Sequence, residues 1–318
     1  MKKPLLILTG PTAVGKTSLS VKAAKKFHGE IISADSMQVY KGMDIGSAKV
    51  TLEEMEGVPH HLIDVLEPWE EFHVVRFKQM AKEAMKGIYE RGHLPILTGG
   101  TGFYIQALLY DIDFTENDAD FSYRKNLETL AKERGASYLY SLLQVRDPQA
   151  AEEIHENNIK RIIRALEFYE KTGTPISEHN RAEREKESPY LFAYVVLNRE
   201  RQELYRRIDL RVDQMLADGL LDEVKKLKAL GYTKDMVSMQ GLGYKELLAY
   251  LDGETDYEEA VRILKRDTRH FAKRQLTWFK RERQTDWLSL DQKTEEEALE
   301  ELAGILQSKG FAAGRRVL

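Results

Sequence analysis

The sequence predicts an α/β protein in which a parallel sheet carries helices on both faces. Short apolar runs at Pro4–Thr9, Glu30–Ala34 and Leu94–Thr98 predict buried strands, and helical apolar spacing separates them, most clearly at Phe72–Arg91. Strands that alternate with helices favour a parallel sheet wound by right-handed crossovers. A fourth strand is predicted at Tyr190–Leu197, after a long interval without strand signals.

That interval is predicted to be an all-helical insertion. Its amphipathic spacing divides the chain into a core of residues 1–114 and 188–318 and an insertion domain of residues 115–187. After the last strand, apolar spacing and glycine breaks predict a helical C-terminal part, with helices at 201–230, 243–251 and 256–283.

Composition excludes several kinds of site. The chain has 318 residues, a net charge of −4 and no Cys, which rules out disulfides, thiolate zinc sites and a cysteine nucleophile. The N-terminal apolar run stops at Thr9-Gly10, too early for a signal sequence, and no later run is long enough to span a bilayer. We therefore expect a cytoplasmic protein with no membrane or zinc partner, and any nucleic-acid affinity must come from local charge clusters.

The strongest motif is GPTAVGKT at 10–17, which matches the phosphate-binding P-loop at every fixed position. It lies between a predicted strand and a predicted helix, as the motif requires, and it makes the predicted sheet P-loop NTPase-like. Backbone N–H groups cradle phosphate while Lys adds a full charge and Thr can bind Mg²⁺. We assign phosphate binding to Gly10, Thr12, Ala13, Val14, Gly15, Lys16 and Thr17. Kinases, ATPases and transferases share this loop, so it does not identify the reaction.

Two segments follow strands and should therefore lie beside the P-loop, at the carboxyl edge of the sheet. Asp35, after the second strand, could accept a proton from an attacking amine or hydroxyl, or hold a Mg²⁺-bound water; a helix N-cap is the alternative. The turn Thr98–Gly102 could direct backbone N–H groups and the Thr101 hydroxyl at the same pocket, or be a plain tight turn.

Arginines and lysines form local clusters. Arg207 and Arg211 lie four residues apart on a predicted helix and could clamp a diphosphate, or form salt bridges to Asp209 or Asp213. A second basic patch in the insertion contains Arg161 and Arg164.

The segment Arg262–Arg283 holds nine Lys and Arg against two acidic residues, with Phe271 and Trp278 between them. Such a helix can neutralise nucleic-acid phosphates while an aromatic ring stacks on an exposed base. The alternative is a basic amphipathic helix that packs its aromatic rings into the core.

His60-His61 suggests a metal site at first sight. Adjacent side chains rarely converge on one ion, and no further set of ligands at suitable spacing accompanies them. A structural or substrate-contacting role is the better interpretation.

Eight segments together resemble the tRNA dimethylallyltransferases, the bacterial tRNA isopentenyltransferase family. The resemblance covers nearly the whole chain in order and depends most on the segments at 240–247 and 268–281. The segments are GPTAVGKT at 10–17, DSMQVY at 35–40, GVPHHLID at 57–64, LTGGTGFY at 97–104, NIKRIIRALEFYEKTG at 158–173, LYRRIDLRVDQML at 204–216, QGLGYKEL at 240–247 and TRHFAKRQLTWFKR at 268–281. Residues 72–75 fit the family pattern more loosely, and the chain lacks the Cys needed for the zinc finger of eukaryotic relatives.

The resemblance implies transfer of a dimethylallyl group from dimethylallyl diphosphate to N6 of the adenosine 3′ of the anticodon, with Mg²⁺. It implies that the P-loop and Arg207 hold the diphosphate, that Thr17 binds the metal, and that Asp35, Thr101 and Arg211 serve catalysis. The residues implied to contact the tRNA anticodon stem-loop are Asp35, Ser36, Met37, Gln38, Thr101, Arg161, Arg164, Gln240, Gly241, Gly243, Tyr244, Lys245, Lys273, Arg274, Gln275, Thr277, Trp278 and Lys280.

Three other functions remain open at this point. A P-loop kinase would use Asp35 to activate a hydroxyl group. An adenylate isopentenyltransferase would modify free AMP rather than tRNA. An RNA-binding NTPase switch would hydrolyse ATP without transferring a prenyl group.

Overall fold

The structure, a computed structural model, describes residues 2–114 and 122–311. Its centre is a six-stranded sheet in the order β3-β2-β4-β1-β5-β6, and all neighbouring strands pair in parallel. The α/β fold predicted from the sequence is therefore confirmed. The strands are β1 Lys3–Thr9, β2 Gly29–Ser33, β3 His60–His61, β4 Leu94–Gly99, β5 Tyr190–Asn198 and β6 Thr285–Ser289.

The helices fall into three groups along the chain. Between the first four strands lie α1 Lys16–Phe27, α2 Leu52–Met55 and α3 Val74–Glu90, followed after β4 by α4 Gly102–Leu109. The insertion contains α5 Ser122–Arg134, α6 Ala136–Arg146, α7 Pro148–Glu153, α8 Ile159–Thr172 and α9 Ile176–Glu185. The C-terminal part contains α10 Arg201–Ala217, α11 Leu220–Ala229, a short 3-10 helix Ser238–Gln240, α12 Tyr244–Leu251, α13 Tyr257–Phe279 and α14 Glu295–Ser308.

Both faces of the sheet are buried, because helices cover each of them. In β1, residues Leu5 to Thr9 are all buried, as expected for a strand with no solvent-facing side. Leu6 and Leu8 pack into one cluster with side chains of α1, α10 and α14. The helices α3 and α4 pack on each other, and α3 also contacts β2 and β4 without contributing to that cluster.

The chain divides into two compact units, residues 1–109 with 189–318, and residues 110–188. The second unit has its own core, built mainly from α5, α6 and α8, in which Leu139, Leu143 and Ile162 are fully buried. The boundaries predicted from sequence were 114/115 and 187/188. Residues 115–121, with which the predicted insertion begins, lie outside the described residues.

The structure differs from the prediction in several elements, and α2, the 3-10 helix and α14 were not predicted. The helix expected at 201–230 is two helices, α10 and α11, because the chain turns at Asp218-Gly219. The edge strands β3 and β6 were not predicted. One has only two residues, and the other mixes polar and apolar residues in the sequence TDWLS, so neither forms a continuous apolar run.

His61 has a structural role in a charged cluster around Glu30. The Glu30 side chain is almost fully buried in β2 and accepts two hydrogen bonds from Arg91, at 2.7 Å each. Its oxygens also lie 2.7 Å from ring nitrogens of His61 and His93. The Arg91 hydrogen bonds, followed by those of the histidines, lower the pKa of Glu30 to about 2 against the opposing effect of burial.

We predict that Glu30→Gln lowers the free energy of unfolding by about 2 kcal/mol at pH 7, since it removes the charge from a buried hydrogen-bonded cluster whose partners are partly exposed. Because the folded pKa is depressed, this stabilisation is present above about pH 4.5 and is lost as the pH falls toward about 2. Urea unfolding measured from pH 7 down to pH 3 should show the difference between the two proteins shrinking below about pH 4.5. Glu83→Gln, at an exposed position on α3, serves as the control. A difference independent of pH would contradict this explanation.

Candidate active site

The P-loop joins β1 to α1 and has the conformation of an anion-binding turn. Gly15 has a φ of 113°, which favours glycine, and as the N-cap of α1 it makes no side-chain capping bond. The first turn of α1 contains no acidic residue. Its N–H groups and the helix dipole are therefore available to a phosphate group.

Two arginines hold the P-loop from outside. Arg207 of α10 donates from Nε to the Ala13 carbonyl at 2.9 Å, and Arg199 donates from Nε to the Val14 carbonyl at 3.0 Å. Arg199 also donates to the Leu290 carbonyl at 2.9 Å. In a trans peptide the carbonyl and the following N–H point in opposite directions, so fixing the Val14 carbonyl on Arg199 turns the Gly15 N–H away from it. Arg199 was not predicted from the sequence to be a site residue, although its position directly after β5 indicated that it lies at the same edge of the sheet as the P-loop.

Positive charge is concentrated beside the loop. The Lys16 ammonium donates to the carbonyls of Gly10 and Pro11, at 3.0 and 2.8 Å. Burial, reinforced by the nearby charge of Arg211, lowers the pKa of Lys16 to about 7, while Asp35 opposes the shift. Burial also lowers the pKa of Arg211, which has no hydrogen-bond or ion-pair partner among the described residues.

The salt bridges considered for Arg207 and Arg211 are absent from the described part of the chain. Asp209 instead pairs with Arg269 of α13, and Asp213 pairs with Lys265 at 2.6 Å. Arg207 and Arg211 therefore remain available on the side of α10 that faces the P-loop. The two aspartates instead form ion pairs that connect α10 to α13.

Asp35 lies at the same edge of the sheet and interacts electrostatically with both Lys16 and Arg211. Its Oδ1 accepts hydrogen bonds from the N–H groups of Met37 at 2.8 Å and Gln38 at 3.4 Å. No helix follows Asp35, so the helix N-cap considered from the sequence is not formed, and Oδ1 instead closes a local turn. Only Oδ1 is used in it, so the second carboxylate oxygen remains available to a substrate.

The glycine-rich turn after β4 lies beside Asp35. The Ala34 N–H donates to Thr98 and the Ala34 carbonyl accepts from the Thr101 N–H, at 2.8 and 3.2 Å. The Thr101 N–H is therefore not free to bind phosphate, which corrects one expectation for this turn. The Thr101 hydroxyl is partly exposed and makes no hydrogen bond within the described ranges.

The same turn receives two side chains of α13. A methyl group at Gly100 would lie 2.1 Å from Nε2 of Gln275, and one at Gly102 would lie 2.2 Å from the Trp278 ring. Gln275 donates to the Gly100 carbonyl at 3.0 Å and accepts from the Thr12 N–H at 2.9 Å. Glycine is required at 100 because any side chain would displace Gln275, so this turn is more than a plain tight turn.

The charge of α13 is not spread evenly along the helix. In its N-terminal part Arg262, Lys265, Arg266 and Arg269 form ion pairs with acidic neighbours. In the part of the chain that the structure describes, the cations near its C-terminal end form none. These are Lys273, Arg274, Lys280 and Arg281.

Three of these cations border an open groove of about 440 Å³, which is lined by His270, Lys273, Arg274, Thr277, Trp278 and Arg281. The exposed ring of Phe103, at the start of α4, contacts Trp278 edge to face, with the ring centroids 6.2 Å apart. Phe271 is partly buried and Arg274 lies over its ring. The groove combines positive charge with aromatic surface, which are the two features that nucleic-acid strands require.

The loop that contains Gly241 packs on the segment that follows Asp35. A methyl group at Gly241 would lie 2.5 Å from Met37 Cε. Gln240 has an exposed side chain, whereas Lys245 is partly buried and pairs with Glu246 at 3.4 Å. Gly243 is the N-cap of α12, and its N–H donates to Glu246 at 2.8 Å. Ser36 is partly exposed. The segments around Met37 and Gly241, which were both predicted to contact RNA, therefore lie against each other.

Three of the predicted RNA contacts have side chains engaged inside the protein. Tyr244 is fully buried and its hydroxyl donates to Glu223 at 2.7 Å. Gln275 is only 6% exposed. The Gln38 amide is partly buried, accepts from the Ser33 hydroxyl and donates to the Ala48 carbonyl. We retain none of these side chains as a direct RNA contact, and sequence alone could not distinguish them from exposed neighbours.

The predicted basic patch of the insertion lies on α8. Arg161 is exposed, whereas Arg164 is partly buried, with Glu167 and Arg124 as charged neighbours. Among residues 2–114 and 122–311, no three His, Asp or Glu side chains are arranged to hold a metal ion. No helix in these ranges has the length and hydropathy needed to cross a membrane.

Comparisons with known proteins agree on one family. The IPP transferase family model matches residues 38–282, and the isopentenyl transferase model matches residues 3–66. A tRNA dimethylallyltransferase of Lachnoclostridium phytofermentans is 62% identical over 96% of this chain and 98% of its own length.

Two solved structures are similar over the whole chain. The tRNA isopentenylpyrophosphate transferase of Bacillus halodurans is 45% identical, with a TM-score of 0.73 over 97% of this chain and 98% of that one. A eukaryotic dimethylallyltransferase acting on tRNA is 30% identical, with a TM-score of 0.83 over 98% of this chain and 81% of that one. The resemblance seen in the motifs is confirmed, and the chain belongs to the tRNA dimethylallyltransferase family of IPP transferases.

Proposed function

We propose that this chain transfers a dimethylallyl group from dimethylallyl diphosphate to N6 of the adenosine immediately 3′ of the anticodon in tRNA. The observation that carries the proposal is the position of one carboxylate, Asp35, within electrostatic reach of Lys16 and Arg211 at the P-loop. A phosphate-binding loop and a proton acceptor thus lie at one edge of the sheet. A tRNA substrate would place this work in the cytoplasm.

The diphosphate end of the donor fits the P-loop. The first-turn N–H groups of α1, the Lys16 ammonium and the free donors of Arg207 and Arg211 would neutralise charge that develops on the leaving diphosphate. The bond from the allylic carbon to the diphosphate oxygen breaks while the bond from that carbon to N6 forms. Stabilising the departing charge is therefore the main electrostatic task of these residues.

The acceptor end fits Asp35 and Thr101. An aryl amine is a weak nucleophile, so it must be held in line with the allylic carbon and lose a proton as it attacks. Asp35 Oδ1 is fixed by the turn, which leaves Oδ2 to receive that proton. The Thr101 hydroxyl, without a partner among the described residues, would help to orient the reacting groups.

The RNA would lie along the groove of α13, where Lys273, Arg274 and Arg281 offer unpaired charge and Trp278 offers an aromatic surface, and Lys280 is a further unpaired cation near the end of the helix. Ser36, Met37, Gln240, Gly241 and Lys245 would contact the strand near the everted base, and Arg161 and Arg164 would supply contacts from the insertion. Eversion of a base costs a few kcal/mol, which these contacts must offset.

Mg²⁺ fits the donor set at the start of α1. The Thr17 hydroxyl makes no hydrogen bond to any residue in the described ranges, and Mg²⁺ usually binds few protein oxygens together with substrate phosphates. Thr17 would hold the ion, which would supply additional positive charge to the diphosphate oxygens when bound.

The alternatives predict different products. A P-loop kinase would transfer phosphate to a hydroxyl, an adenylate isopentenyltransferase would modify free AMP, and an NTPase switch would release phosphate without prenyl transfer. The groove on α13 favours an RNA acceptor over AMP, because a mononucleotide does not need an extended basic and aromatic surface.

We predict that Asp35→Asn slows prenyl transfer to unmodified tRNA by about 100-fold or more while tRNA affinity changes little, because the amide keeps the Oδ1 hydrogen bonds of the turn but cannot accept a proton. Single-turnover transfer of labelled dimethylallyl groups measures this effect. Asp222→Asn, at an exposed residue paired with Lys225, is the control. Transfer at the native rate by Asp35→Asn would exclude the proposed base, and labelling of AMP alone would exclude the tRNA acceptor.

We predict that diphosphate binding draws a proton onto Lys16 above pH 7. The pKa of Lys16 without ligand is about 7, and a bound diphosphate favours the charged form. Calorimetry of pyrophosphate binding at pH 8, in buffers of different ionisation enthalpy, should give greater proton uptake for the native chain than for Lys16→Arg, by up to about one proton. The affinity of the native chain relative to Lys16→Arg should fall as the pH rises from 7 to 9. Equal proton uptake would show that Lys16 is already charged before the ligand binds.

A further inference from the structure

Gln275 connects two loops of the candidate site through one buried side chain. Its Oε1 accepts from the Thr12 N–H of the P-loop at 2.9 Å, and its Nε2 donates to the Gly100 carbonyl at 3.0 Å. The first contact spans 263 residues of sequence and the second spans 175. Gln275 is therefore a direct physical link from α13 to the P-loop.

The same helical turn carries the groove proposed for RNA. Lys273, Arg274 and Thr277 are exposed on α13 within two residues of Gln275, and Trp278 packs against Gly102. A helix is internally hydrogen-bonded and moves as a unit over one turn. A ligand that fixes the groove-facing residues of α13 therefore also fixes Gln275.

We propose that Gln275 is a positioning residue that couples RNA binding in the α13 groove to diphosphate binding in the P-loop. The inference rests on the proposed function for the identity of the two ligands. RNA seated in the groove fixes the end of α13, and Gln275 in turn restrains the loop at Thr12. Part of the ordering of the loop is then complete before the diphosphate arrives, so the second ligand binds more tightly. Linkage requires the effect to be reciprocal, with diphosphate raising the affinity for RNA by the same factor.

The residue type suits this task. An amide provides one acceptor and one donor group at the end of a single side chain, as the N–H of Thr12 and the carbonyl of Gly100 require. A carboxylate would lack the donor and would add negative charge beside the diphosphate. Methionine has a similar length but makes neither hydrogen bond well.

The experiment measures the Kd of inorganic pyrophosphate, with Mg²⁺ in the buffer, in the presence and absence of a saturating anticodon stem-loop RNA. For the native chain we expect RNA to tighten pyrophosphate binding by roughly 5-fold or more, the lower end of typical coupling between sites. Gln275→Met should reduce this factor to less than about twofold. Gly100→Ala provides an independent route to the same loss, because its methyl group would lie 2.1 Å from Gln275 Nε2 and displace the side chain. Gln307→Met, at an exposed position on α14, should retain the full factor.

Two results would overturn the inference: no effect of RNA on the pyrophosphate Kd of the native chain, or an unchanged factor in both Gln275→Met and Gly100→Ala. A merely structural role would lower the melting temperature and weaken both ligands without changing that factor. Assay of prenyl transfer with the same samples separates this inference from the proposed function. Prenyl transfer without coupling between the two ligands would refute only the role of Gln275. Binding of RNA and pyrophosphate without prenyl transfer would instead refute the proposed reaction.

Discussion

The organisation of this site depends on holding a P-loop so that the backbone N–H groups at the start of α1 face the ligand rather than the protein. The carbonyl groups of such a loop need hydrogen-bond donors from other parts of the protein. Here, side chains from distant elements donate to them. Arg207 and Arg199 bind successive carbonyls at Ala13 and Val14, and Gln275 fixes the N–H at Thr12. The loop is therefore shaped by residues from the C-terminal half of the chain. Its sequence alone provides glycine flexibility and one lysine, and the arginines and the glutamine provide the restraint.

Burying cations beside one loop has an electrostatic cost, which is visible in the lowered pKa values of Lys16 and Arg211: burial is the largest cause, and a neighbouring arginine adds to it in each case. Asp35 offsets part of this cost, but it is also bound to its own turn through Oδ1. An anionic ligand would relieve the remaining repulsion. Asp209 and Asp213 do not neutralise the arginines of α10, because they pair with Arg269 and Lys265 of α13. The distribution of ion pairs thus leaves positive charge at the loop and at the C-terminal end of α13, the two places where phosphate groups are proposed to bind.

Local patterns predicted the central elements well. Strands β1, β2, β4 and β5 were predicted to within a residue at each end, because a buried parallel strand is a continuous apolar run. The P-loop, Asp35 and the basic helix were predicted from sequence motifs and from their positions relative to the predicted strands and helices. Residues Arg199 and Gln275 escaped detection in these roles, since each acts through contacts between segments separated by 185 and 263 residues. Tyr244 and Gln275 share motifs with exposed residues, and only their burial separates them from a surface that can meet RNA.

If the proposed function is correct, the P-loop, Asp35 and the α13 groove serve one reaction centre. A crystal structure of the chain with pyrophosphate and an anticodon stem-loop RNA is the decisive test. We expect diphosphate oxygens on the N–H groups that begin α1, an everted adenine with its N6 amine beside the free oxygen of Asp35, and RNA phosphates against Lys273 and Arg274. An adenine that remains stacked in the RNA loop, or RNA bound away from α13, would contradict it.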